Sequence, residues 1–232
     1  MSTPAEQIAL ACRGLATYGL GSEIGGHVSM RDPDSDTFWM NVLDKTFEEI
    51  TPADVVRIDF DGNQVDGDRT ISLGADFHQG IYAERDDVHA IVHTHGPWIT
   101  ALCAMNRPPK TYHNLASFFA GETAMCPDDD FESVGPALGD NHTLLIPFHG
   151  AICVHKDLGQ AVSLMVTLEY AAELDVRITP TGAPDMPQEM IGRVKDLVTR
   201  ANYLTHTWGL VQRKARNAMA AAGEDLGELV AS

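Results

Sequence analysis

The chain has 232 residues, 44% hydrophobic and 21% charged, enough to bury a sizeable core in one large domain or two small ones. Its 33 acidic against 16 basic side chains give a formal charge of −17, a field that repels phosphate backbones and argues against a nucleic-acid partner. No apolar run is long enough to span a bilayer, and "MSTPAEQIAL" lacks the basic and apolar regions of a secretory signal, so the expected location is the cytoplasm, with no membrane partner.

In chain order, residues 4–20 read as an amphipathic helix with Ile8, Cys12, Leu15 and Tyr18 near one face, ended by Gly19 and Gly21. "GGHVSMRD" and "FWMNVLD" read as short strands joined by the turn "DPDSDT". "DVVRIDFDGNQVDG" repeats the alternation and adds hairpin punctuation. "SLGADFHQGIYAERDD" is a helix with Ser72 as its cap and Phe77 and Ile81 facing inward. "HAIVHTH" follows as a strand, "GPWITALCAMN" as a helix, and "TLLIPFHGAICVH" as a strong β segment. "DLGQAVSLMVTLEYAAELDVRI" is a long helix, "TPTGAPDMP" a linker, and 187–222 a further helical region. Strands alternating with helices predict a single α/β domain, and the hairpin signals make its sheet at least partly antiparallel. Cys12, Cys103, Cys126 and Cys153 form no CxxC pair and are expected to be free, buried thiols.

The chemistry concentrates in "HAIVHTHGPW". Side chains two apart on a strand share a face, so His93 and His95 are co-facial and about 7 Å apart at Cα. That spacing lets two imidazoles converge on one ion at ~2.0–2.1 Å, although a bare HxH also occurs on polar surfaces and in satisfied cores. The best third ligand is His149 in "IPFHGAICVH"; His89 lies further back along its strand.

Three blocks in this order, "GGHVSMR", "FHQGIYAERDDVHAIVHTHGPW" and "LLIPFHGAICVHKDLGQAV", resemble the class II aldolase/adducin superfamily over residues 5–180. The resemblance implies a three-layer α/β fold with a mostly antiparallel central sheet flanked by helices. It also implies a homo-oligomer, usually a tetramer, with active sites at subunit interfaces. Residues 1–180 would form the metal-binding domain, and 181–232 a helical extension packed on it. Carried over by position, the metal histidines fall on His93, His95 and His149. One divalent ion is expected: zinc first, then manganese, iron or cobalt.

The sequence departs from the aldolases of that superfamily at the groups that handle phosphate and protons. Their acid/base glutamate, four residues before the "FH" histidine, is Gly74 here, and Asp76 is rotated from that position by ~200° on a helix. Their phosphate loops are replaced by Gly26-His27, Leu43-Asp44 and Ser72-Leu73, which lose donors and add a repelling carboxylate. Their catalytic tyrosine aligns with Asn114, beside His113 and Tyr112.

An intact triad without the aldolase acid/base fits the superfamily's decarboxylases of hydroxylated aromatic acids, of hydroxypyridine-dicarboxylate or dihydroxyphthalate type. The expected function is a metal-dependent carbon–carbon lyase acting on a small anionic substrate without phosphate. Candidate proton donors are His113, His78 and Tyr112; candidate substrate contacts are His27, Arg31 and Ser72, with Lys45 and Arg107 as further sources of positive charge. The alternatives are an aldolase on a non-phosphorylated hydroxy-acid or sugar acid, a non-catalytic adducin-like scaffold, and oxygen-dependent chemistry at iron.

Overall fold

Thr3 starts the first helix: its hydroxyl accepts the Glu6 N–H while the Glu6 carboxylate accepts the Thr3 N–H. The computed structural model describes residues 2–224. In it α1 (Pro4–Ala16) is followed by the hairpin β1 (His27–Arg31) and β2 (Thr37–Asn41), then β3 (Val55–Asp59). Next come α2 (Ala75–Glu84), β4 (Ala90–Thr94), α3 (Pro97–Ala104), β5 (Thr123–Met125) and α4 (Phe131–Leu138). The chain continues through β6 (Thr143–Leu145), β7 (Ala151–His155), α5 (Leu158–Ile178), α6 (Gln188–Arg200) and α7 (Tyr203–Ala221).

The seven strands form one sheet in the order β3-β2-β1-β4-β7-β6-β5, antiparallel throughout except for the parallel pair β5–β6. α1 and α5 cover one face, with α7 packed on both, while α2 and α4 cover the other. Strand alternation assigns the faces: the Thr94 hydroxyl meets Met165 of α5, whereas the adjacent His93 turns toward Phe77 of α2. This is the α/β, mostly antiparallel architecture that the resemblance implies.

Four local expectations change. The α2 helix begins at Ala75, because Ser72 spends its oxygen on the Gly74 N–H in a turn that precedes the helix. After β3 the chain makes one isolated bridge, Ile58 to Gln64, instead of a second strand. "TLLIPFHGAICVH" is not one strand; β6 and β7 are antiparallel partners, and His149 sits in the turn between them. The helical region after 187 is two helices, broken where Asn202 takes a left-handed φ of 51°. All four cysteines are free and buried, and no helix among the described residues is long and apolar enough to cross a membrane.

Candidate metal centre

His27 and His93 stand directly opposite each other in the β1–β4 pair, so their side chains emerge on the same face. His95 lies one residue past the end of β4, and its N–H donates to Ser22 Oγ at 2.7 Å. His149 arrives from the β6–β7 turn. The preceding Phe148 adopts a φ of 58°, a left-handed conformation that a bulky side chain resists at a cost of about 1–3 kcal/mol. Two glycines let these loops close in. A Cβ on Gly150 would stand 2.6 Å from His95 Cδ2, and one on Gly25 would stand 2.7 Å from His95 Cε1.

One ligand atom from each of His93, His95 and His149 lies within 4.8 Å of the others. His93 donates its Nδ1–H to the Ala151 carbonyl (3.0 Å), which leaves the Nε2 lone pair facing His95 Nε2 at 2.8 Å. Burial, then the surrounding imidazoles, hold His93 well below the ordinary histidine range. Burial and His149 bring His95 to about 4, and burial lowers His149 against a small opposing pull from Asp129. With His93 Nε2 left as an acceptor, three neutral imidazoles can each turn one lone pair toward a shared cation. This donor set suits a borderline divalent ion such as zinc.

Beside the triad, His27 stacks on His93 with ring centroids 4.5 Å apart and is 2% exposed. Burial first, then the His78, His95 and His149 imidazoles, keep it well below the ordinary range. His78 lies one layer behind. It is fully buried, at about 3 through burial and then His93, and both its ring nitrogens are taken, by His27 Nδ1 (2.6 Å) and Ser29 Oγ (2.5 Å). It therefore has no nitrogen left to present to a substrate.

Several candidates stand elsewhere. Arg31 is at the far end of β1, about 13 Å along the strand from His27, and its donors go to the Tyr82, Arg85 and Val88 carbonyls. Lys45 pairs with Asp54, and Arg107 with Asp175. His113 packs edge-on against Tyr170 of α5, in an apolar cavity of about 590 Å³ that includes Trp98 and Leu210 and no triad residue. The Tyr112 hydroxyl lies near Thr179 Oγ1 and the Ala183 carbonyl. Among the described residues neither side chain has a hydrogen bond or ring contact to the triad: His113 packs against α5 and Tyr112 beside the turn that follows it, while His93 and His149 face Phe77 of α2. Asp76 opens onto a separate cleft with Gln79 and Phe131. Asp44 pairs with Arg69, so its charge is compensated. Sequence reading missed Ser29 and Tyr82, although "HVS" on a strand and "HQGIY" on a helix each bring the pair to one face.

The model of the Class II Aldolase and Adducin N-terminal domain matches residues 6–176, and the chain belongs to that family. Decarboxylase NovR of Streptomyces niveus is 29% identical over 197 residues, covering 78% of this chain and 72% of its own. A 5-methylthioribulose-1-phosphate/5-deoxyribulose-1-phosphate aldolase of Rhodospirillum rubrum is 30% identical over 207 residues, covering 82% and 91%. Among solved structures, an L-fuculose 1-phosphate aldolase from Glaciozyma antarctica superposes with a TM-score of 0.87 over 96% of this chain and 92% of that one. At 20% identity, that likeness speaks for the fold alone. The family thus holds both decarboxylases and sugar-phosphate aldolases.

Proposed function

We propose that the protein is a divalent-metal-dependent carbon–carbon lyase that decarboxylates a non-phosphorylated, hydroxylated aromatic carboxylate. The observation that carries the reading is His27, an imidazole filling the space over Gly74 beside three convergent histidines. His93, His95 and His149 would hold the ion, which supplies Lewis acidity toward adjacent substrate oxygens when bound. His27 adds a polar contact that bears no negative charge and so accepts a carboxylate. As the carboxyl group leaves as CO2, its bonding electron pair stays on the ring carbon, which then takes a proton. Leu73 and Phe148, 90% and 78% exposed at the edges of the site, fit burial against a second copy of the chain. That arrangement would let His113 or Tyr112 of a neighbouring copy deliver the proton. The likeness to a named decarboxylase supports the same reading.

Two observations favour an aldolase instead. The Arg69–Asp44 pair removes repulsion that a substrate phosphate would otherwise meet, and the Rhodospirillum relative is named a sugar-phosphate aldolase. A screen of zinc- and manganese-loaded protein separates the two readings, with and without oxygen. CO2 from hydroxylated aromatic dicarboxylates, with no aldehyde and no oxygen requirement, is the expected outcome. Aldehyde release from sugar phosphates or sugar acids, or oxygen-dependent turnover, would sink the proposal. His93→Ala and His149→Ala are each expected to lose the metal by elemental analysis, and a variant that kept both metal and full activity would refute the ligand assignment.

A further inference from the structure

β1 carries His27 and Ser29 on one face, and α2 carries His78 and Tyr82 one turn apart on the face that meets it. The spacings match, about 6.6 Å along the strand and about 6 Å along the helix. The four side chains therefore mesh in single file. Tyr82 Oη lies 2.7 Å from Ser29 Oγ, Ser29 Oγ 2.5 Å from His78 Nδ1, and His78 Nε2 2.6 Å from His27 Nδ1.

A file in which Tyr82 and His78 both donate to Ser29 leaves the hydrogen of the buried Ser29 hydroxyl without an acceptor among the described residues, so the hydrogens run in one direction, in one of two ways. In the first, Tyr82 donates to Ser29, Ser29 to His78 Nδ1, and His78 Nε2 to His27 Nδ1, so that His27 carries its own hydrogen on Nε2. In the second, every donor reverses, and the Tyr82 hydroxyl hydrogen has no acceptor among the described residues. Tyr82 is 1% exposed, and a buried donor without a partner is costly, so the first order prevails. The free end of the file is His27 Nε2. It has no hydrogen-bond partner among the described residues and, unlike Tyr18 Oη or His142 Nδ1, is not a sealed polar atom. A Cβ on Gly74 would stand 2.1 Å from it, so no side chain can share that space.

We propose that Tyr82, Ser29 and His78 are positioning residues that fix His27 as the Nε2–H tautomer, presenting a neutral donor beside the triad to a carboxylate oxygen of the substrate. The substrate half rests on the decarboxylase reading above; the tautomer half does not. A carboxylate side chain in that place would accept hydrogen bonds and repel such a substrate, whereas a fixed N–H attracts it without acting as a base.

Neutron diffraction from the deuterium-exchanged wild-type protein reads the tautomer directly. Deuterium is expected on Nε2 of both His27 and His78 and absent from Nδ1 of both. Deuterium on His27 Nδ1 overturns the inference, whatever the protein binds. Calorimetry with 2-hydroxybenzoate on zinc-loaded protein reads the donor's use. His27→Phe is expected to weaken binding by about tenfold or more, and Ser29→Ala to weaken it less, with zinc content unchanged in both. Unchanged affinity in His27→Phe overturns the substrate contact, and unchanged affinity in Ser29→Ala overturns the positioning role. If 2-hydroxybenzoate fails to bind wild type while the deuterium lies where stated, the aromatic-carboxylate reading falls and the tautomer assignment stands.

Discussion

At position 74 the absence of one methyl group decides which side chain stands beside the triad. His27 Nε2 fills that space, so Gly74→Ala forces the imidazole or the backbone to move, at a cost of about 1–3 kcal/mol in urea-melt stability. The same substitution in a His27→Ala background is expected to cost markedly less, since the clash partner is gone. Strictly additive effects in the double-mutant cycle would show that the two positions are not coupled. Strand parity read from the sequence pairs His93 with His95. It could not place His27 opposite His93, because that depends on which strand becomes the neighbour of β4.

Among the elements, α3 matters most to the geometry of the triad, because it starts immediately after His95 and Gly96. Its first turn has no side-chain cap of its own. Glu169 of α5 supplies one, accepting the N–H groups of Trp98 (3.0 Å) and Ile99 (2.9 Å). Glu169→Ala is therefore expected to lower stability by about 1–2 kcal/mol, visible as a reduced Tm, and an unchanged Tm would mean that water caps the turn equally well. A second anchor ties the segment before β3. Burial raises the Asp54 carboxyl, but hydrogen bonds from Thr51 and Lys45 outweigh it and hold the group at about 2. A carboxyl depressed in the folded state stabilises above its unfolded value of 3.8 and loses that stabilisation as pH falls through about 2. Asp54→Asn should thus cost about 1–3 kcal/mol at neutral pH, with the deficit shrinking toward pH 2 in denaturant melts. A deficit independent of pH would contradict the assignment. No local signal pairs residue 169 with residue 98, and the β6–β7 turn was hidden because both strands are buried and read as one apolar run.

For the whole molecule, the sheet separates two faces. The triad and His27 open toward α2, while His113 packs against α5 and Tyr112 beside the turn after it, so a centre that used both sets would draw them from different copies of the chain. Exposed Leu73, next to Gly74, and exposed Phe148, next to His149, point the same way. Sedimentation of wild type is expected to give a mass near four times the 25.2 kDa of one chain, with Phe148→Asp shifting it toward smaller species. A monomeric wild type would remove His113 and Tyr112 from consideration as proton donors. The α/β class, most helices and strands, the co-facial pair His93 and His95 and the glycine at position 74 can be read from the chain alone. These are encoded in local periodicity, in strand parity and in residue identity. The packing of strand on helix is what sets His78 behind His27, spends Arg31 on carbonyls, and brings Ser29 and Tyr82 into the file. Each of these depends on the register between strand and helix, which arises when separate elements bury their faces against one another and which no single stretch of chain specifies.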